Sequence, residues 1–212
     1  MAGHDTAKAR PRGGLADKRR AILVGALTVF ARDGYTRANI DTISGEAGVS
    51  TRTIYNHFLD KAELFQVVIQ ESATRAAEVQ IAIIERHLNK IIDLESDLVE
   101  FGMEFAVPPP GYAEHFALVR QINAEARHIP PTAITAWQET GPLRVRRELA
   151  RHMAKARDRG LLRIDDPERA AIHLMTLVSV VDPAYLGAVP SQDEITEIVT
   201  SSIRVFLHGY LP

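Results

Sequence analysis

From Ala16 onward, apolar residues recur at helical spacing along nearly the whole chain, and the strict alternation that marks a half-buried strand is absent. Ile22, Leu23, Ala26, Leu27 and Phe30 form the first stripe, closed by Gly34, which can adopt the left-handed conformation that ends a helix. Ile40, Ile43, Ser44 and Ala47 mark a short second helix, and Ile54 and Phe58 mark the buried side of a third. Asp60 with Glu63 three residues later predicts a capped start for a long helix carrying Leu64, Val67, Val68, Ala77, Ile81, Ile84 and Leu88. Leu94, Leu98, Phe101 and Phe105 follow, until the run from Pro108 to Gly111 interrupts them.

A further helix is predicted from about Ala113 to Ile129, ended by Pro130 and Pro131, and another from Thr132 to Arg159. Gly141-Pro142 kinks or splits that last one, and Gly160 stops it. Asp166 before Pro167 opens the next helix, with Ala170, Leu174, Leu177, Val178 and Val181 aligned. Ser191 with Glu194 opens the last, striped by Ile195, Ile198, Val199, Ser202, Ile203 and Phe206. The pattern predicts an all-α fold of about nine helices. Residues 1–15, with Gly3, Pro11, Gly13 and Gly14 among charges, read as a flexible basic arm.

The net charge of −2 conceals an asymmetry. Residues 1–61 carry ten Lys and Arg against six Asp and Glu, a net of +4, and the remainder carries fifteen against twenty-one, a net of −6. Six of the early cations, Lys8, Arg10, Arg12, Lys18, Arg19 and Arg20, fall within the first twenty residues. A basic end on an acidic body suits contact with a phosphate backbone, although charge alone fits a solubilising tail equally well. The absence of cysteine excludes disulfides and thiolate metal sites. The eight histidines are scattered, and no phosphate-binding glycine loop, nucleophile elbow or paired-carboxylate arrangement is present. No metal, cofactor or catalytic residue is therefore expected. No signal-peptide core is seen, and the run from Ala170 to Val181 is too short to span a bilayer, so a cytoplasmic protein without a membrane partner is expected.

Between Asn39 and Phe58 the sequence NIDTISGEAGVSTRTIYNHF reads as two short helices crossing at a tight turn. Asn39 can cap the first, Gly48 can supply the positive φ of the turn, and Ser50 can cap the second. With Ile54 and Phe58 inward, Arg52 and Asn56 lie one turn apart and roughly 200° from Ile54 at 3.6 residues per turn. An outward Arg can pair with guanine and an outward Asn with adenine in a major groove. Thr51 and Thr53 can make shorter contacts. Ser50, Tyr55 and His57 offer neutral donors to phosphate, and Lys61 offers a charge.

Gly34-Tyr35, Ile43, Ala47-Gly48-Val49-Ser50, Thr53-Ile54-Tyr55, His57-Phe58, Lys61 and Leu64 together resemble the signature of tetracycline-repressor (TetR) family regulators, over residues 16–66. Ser44 stands where that family usually has Ala, and Arg52 where a small residue is common. More weakly, the stretch from Phe116 through Trp137 to Asp166-Pro167 resembles the C-terminal domain of AefR-type members. The resemblance implies a helix-turn-helix DNA-binding domain over 16–60 and a helical effector-binding and dimerisation body over 61–212. It implies a homodimeric repressor on a pseudo-palindromic double-stranded operator, released by a small-molecule effector. The last two helices would form the dimer interface, and their wide apolar faces agree, with Leu174, Val178, Val181, Ile195, Val199, Ser202, Ile203 and Phe206 as the expected contacts.

Phe101, Phe105, Phe116 and Trp137 are candidates to line an effector cavity, with ordinary core packing as the alternative for each. Asn123 and His173 are candidate polar ligand contacts, with a satisfied core polar group as the alternative. Two rival functions, an all-α enzyme or carrier and a protein-interaction scaffold, have no motif in their favour.

Overall fold

A computed structural model describes residues 14–180 and 190–211, so Lys8, Arg10 and Arg12 of the expected arm, and Val181 of the expected interface, lie outside the described residues. Among the described residues ten helical segments follow one another: α1 (Leu15–Arg37), α2 (Ile40–Glu46), α3 (Thr51–Tyr55), α4 (Lys61–Leu88), α5 (Leu94–Phe105), α6 (Ala113–Glu125), α7 (Pro131–Thr140), α8 (Pro142–Asp158), α9 (Pro167–Leu177) and α10 (Gln192–Tyr210). No strand forms among the described residues. The fold is all-α, and ten segments appear because the stretch expected to kink or split at Gly141-Pro142 does split. Gly141 leaves helical geometry (φ −114°, ψ −101°), and Pro142 begins α8, where a missing N–H leaves no bond unmade.

The helix starts are held by side chains near in sequence. Asp60 accepts the Glu63 amide at 2.8 Å, Asp166 accepts the Arg169 amide at 3.1 Å, and Ser191 and Glu194 bond reciprocally in a capping box. Among the described residues no helix is long and apolar enough to cross a membrane.

Two apolar clusters fill the interior. One gathers Ile22, Ala26, Val29 and Phe30 of α1 with Ile43, Ile54 and Phe58, then with Leu64, Phe65, Val68 and Ile69 of α4, and continues onto Leu118, Ile122, Ile129 and Ala133. The Phe30 and Phe65 rings meet edge to face at 4.8 Å, a geometry that adds about 0.5–1.5 kcal/mol to their burial. The other cluster joins the distal half of α4 to α5, α8, α9 and α10 around Phe101, Leu149, Met153 and Ile203. At 28 residues, α4 is about 42 Å long and contributes to both.

The stripe expected at a dimer interface turns inward instead. Leu174, Val178, Ile195, Val199, Ile203 and Phe206 are buried in the chain's own core, and Ser202 is half-buried. A Cβ added at Gly102 of α5 would lie 2.7 Å from a Val199 methyl and 3.3 Å from one of Val178, which shows how tightly these residues pack on α5. The reason is physical: an apolar stripe identifies a buried face, and here α8 is near enough to bury that of α9 and α5 that of α10. The outward face of the α9–α10 layer carries Ile172, 42% exposed, and Val205, 59% exposed.

α1 and α2 cross at Gly25, where an added Cβ would lie 2.8 Å from the Ala47 amide nitrogen and 3.0 Å from its Cα. Backbone cannot yield as a side-chain tip can. Gly25→Ala is expected to destabilise the chain by about 1–3 kcal/mol through overpacking, read as a lower urea midpoint.

Candidate nucleic-acid interface

α2 and α3 are too short to stand alone, and each is fixed by a cap and by inward side chains. Asn39 Oδ1 accepts the Thr42 amide at 2.8 Å and its hydroxyl at 3.0 Å. After α2, Gly48 takes φ 64°, and the Val49 amide reaches back to the Ser44 carbonyl at 3.0 Å, closing the turn. Ser50 Oγ accepts the Thr53 amide at 3.2 Å and lies 2.9 Å from the Thr53 hydroxyl. Ile43, Ile54 and Phe58 are buried beneath.

The opposite side of α3 is open. Arg52 and Asn56 are exposed, Tyr55 is 56% exposed, and Thr51, Thr53 and His57 are half-buried. Among the described residues no hydrogen bond or ion pair engages the Arg52 guanidinium. Arg52, Tyr55 and Asn56 are thus open to solvent, while the oxygens of Asn39 and Ser50 are already used as caps.

Lys61 departs from the expectation of a phosphate contact. Its Nζ donates to the carbonyls of Tyr35 at 2.9 Å and Ala38 at 3.0 Å, with that of Thr36 at 3.5 Å, and sits 4.6 Å from the centre of the Tyr35 ring. Carbonyls at a helix end lack intrahelical partners and attract a cation, so the side chain turns inward.

The six expected effector contacts do not come together. Phe101 is buried in the distal cluster, with the half-buried Phe105 ring 5.0 Å away, whereas Trp137 borders the other cluster. Phe116 packs against His115 at 5.1 Å. Asn123 lies exposed on α6, and His173, exposed on α9, bonds the Tyr210 hydroxyl at 2.7 Å. Both sit on solvent faces because the buried stripe of each helix runs through other positions: His115, Leu118 and Ile122 on α6, and Ala170, Ala171 and Leu174 on α9. The Trp137 indole N–H is buried without a partner among the described residues.

Two buried polar groups escaped the sequence reading. His115 Nδ1 lies 2.9 Å from Ser72 Oγ, linking α6 to α4, and its place one turn before Leu118 on the apolar stripe was the available signal. His152 is buried with Nδ1 3.1 Å from the Leu88 carbonyl and Nε2 3.1 Å from Glu148. It follows Leu149 by three residues and precedes Ala156 by four, on the buried side of α8.

Burial, aided by repulsion from Arg75, lowers the His115 pKa from 6.5 to about 4, so folded His115 is neutral where the unfolded chain takes up a proton. Stability contributed by this group is complete above pH 6.5 and is lost as pH falls towards 4, at up to about 1.4 kcal/mol per pH unit. Urea titrations at pH 7.5 and 5 should show a smaller acid loss for His115→Gln than for the unmodified chain, and equal losses would count against this source.

Comparison with known proteins bears on the same segments. Residues 22–68 match the family of bacterial regulatory proteins described as tetR family, and residues 112–212 match the AefR-like transcriptional repressor C-terminal domain. The HTH-type transcriptional repressor AcnR of Corynebacterium efficiens is 28% identical over 193 residues, covering 89% of this chain and 93% of that protein. The AcnR repressor of Corynebacterium diphtheriae is 40% identical over 65 residues, which are 31% of this chain and only 34% of that relative's length. The crystal structure of a TetR-family transcriptional regulator from Mesorhizobium loti MAFF303099 has a TM-score of 0.78 at 27% identity, covering 95% of this chain and 100% of that one. These relatives are regulators and not enzymes. With the capped α2–α3 pair in its N-terminal cluster and the AefR-like helices behind it, the chain belongs to the TetR family of DNA-binding transcriptional regulators.

Proposed function

We propose that the chain is a homodimeric repressor whose two α3 helices enter successive major grooves of a pseudo-palindromic operator, about 34–36 Å apart, and that a small-molecule effector releases it. The observation that carries this reading is the exposed, unengaged Arg52 beside exposed Asn56 on a short helix pinned by Ser50, Ile54 and Phe58. Thr51, Thr53, Tyr55 and His57 border that pair and supply contacts to base edges or phosphate. Such a regulator works in the cytoplasm, where the DNA is.

The dimer surface in this reading is the outward face of α9 and α10, with Ile172 and Val205 at its centre and the half-buried Leu177, Ile198 and Ser202 beside them. The effector lies in the body, where the Trp137 N–H, without a partner among the described residues, offers a donor to a ligand acceptor. An effector changes DNA occupancy only if it binds the non-matching spacing of the two reading helices more tightly.

Anisotropy titration against the DNA upstream of the chain's own coding sequence, at two salt concentrations, tests the reading. Specific binding in the nanomolar range is expected, and the same affinity for unrelated DNA would overturn it. Arg52→Ala should lose about 1–3 kcal/mol on the operator and relax discrimination at one base pair, whereas a uniform loss on all DNA would assign Arg52 to phosphate. Val205→Asp should give a monomer in sedimentation at micromolar concentration, and a surviving dimer would place the interface elsewhere.

A further inference from the structure

α1 does not end cleanly. At Gly34 the backbone takes φ 79° and ψ 173°, the Ala38 amide returns to the Gly34 carbonyl at 3.3 Å, and Asn39 then opens α2. The residues between are the only covalent link between α1 and the DNA-reading pair, and their polar groups are divided between two helices of the body. α4 takes the carbonyls through Lys61. α6 takes an amide: Glu125 Oε2 accepts the Thr36 N–H at 2.8 Å and the Thr36 hydroxyl at 3.0 Å.

The space for this contact exists because residue 34 has no side chain. A Cβ there would lie 2.3 Å from Glu125 Oε1, and its φ is one that only glycine takes without strain. Nor is Glu125 where its own helix would place it. It is the last residue of α6, at the negative end of the helix dipole, and α6 has no basic residue in its last turn to offset it. A carboxylate unfavourable to its own helix is held there by charge-assisted bonds to another one. Glu125 also continues the stripe of His115, Leu118 and Ile122 towards α1, and at the opposite end of α6 the Thr28 hydroxyl donates to Glu114 at 3.0 Å.

We propose that Glu125 is a positioning residue for DNA reading: by holding the Thr36 amide while Lys61 holds the flanking carbonyls, it makes the orientation of α2 and α3 depend on where the end of α6 stands relative to the start of α4. The inference rests on the DNA-binding reading above. Thr36 is three residues from the Asn39 cap, so a change in its orientation is passed directly to the start of α2.

The test uses the full-length chain and its Glu125→Ala and Glu125→Gln variants. The readouts are the ratio of affinities for the upstream DNA and an unrelated fragment, hydrogen exchange of the segment 34–39, and the thermal midpoint. Glu125→Ala should speed exchange in that segment and lower the affinity ratio on the order of fivefold to tenfold, with the thermal midpoint unchanged or raised. Glu125→Gln removes the same charge but keeps an acceptor oxygen, and it should restore most of the ratio. An unchanged ratio in Glu125→Ala, with faster exchange, would reduce Glu125 to a local cap and overturn the proposal. An equal fall in both variants would assign the effect to charge and overturn it as well. If the unmodified chain itself fails to distinguish upstream from unrelated DNA, the DNA-binding reading falls and takes this inference with it, an outcome visible before any variant is measured.

Discussion

A helix of five residues cannot hold itself together in water, because the loss of backbone freedom in its first turn exceeds what so few hydrogen bonds return. α3 is such a helix, and everything that depends on its surface depends on what lies under it. Ile54 and Phe58 anchor it in the apolar cluster, Ser50 supplies an acceptor to its first amides, and the close crossing of α1 and α2 at Gly25 keeps the floor in place. A methyl group at Gly25 would press on that floor through the Ala47 backbone.

The cluster is not confined to the first three helices. Leu118 and Ile122 from α6 and Phe65, Val68 and Ile69 from α4 complete it, so α4 and α6 supply part of the support for the α2–α3 pair. α4 carries this continuity into the distal cluster, and the His115–Ser72 bond ties α6 to α4 on the way. Because close-packed interiors transmit displacement instead of absorbing it, a ligand that moves α6 against α4 acts on elements that already share a core with α3.

Legibility in the sequence followed the range of the interaction. Asn39, Gly48, Ser50, Asp60, Asp166 and the Ser191–Glu194 pair were readable because a cap or a tight turn is settled within three or four residues. The outward position of Arg52 and Asn56 followed from helical geometry once Ile54 was inside. Lys61 was not readable, since its partners lie 23 and 26 residues away and nothing local distinguishes a lysine that meets carbonyls from one that meets phosphate. Periodicity found the stripes of α9 and α10 but could not say whether the chain's own α5 and α8 or a second copy covers them. The same limit separated Asn123 and His173 from His115 and Glu125, because a polar residue announces its partner only after the helices have packed.

The inward turn of that stripe has a consequence for how the proposed regulator responds to its own abundance. A chain that has buried Leu174, Val199 and Ile203 in its own core, with α5 and α8 beneath them, possesses a finished core before it meets a partner. In the homodimer proposed above, dissociation would then be separate from unfolding, and dilution would yield folded single copies instead of denatured chain. Below such a dimer's dissociation constant, occupancy of a two-fold site would follow the square of protomer concentration, so modest changes in synthesis or degradation would become steep changes in occupancy without any ligand.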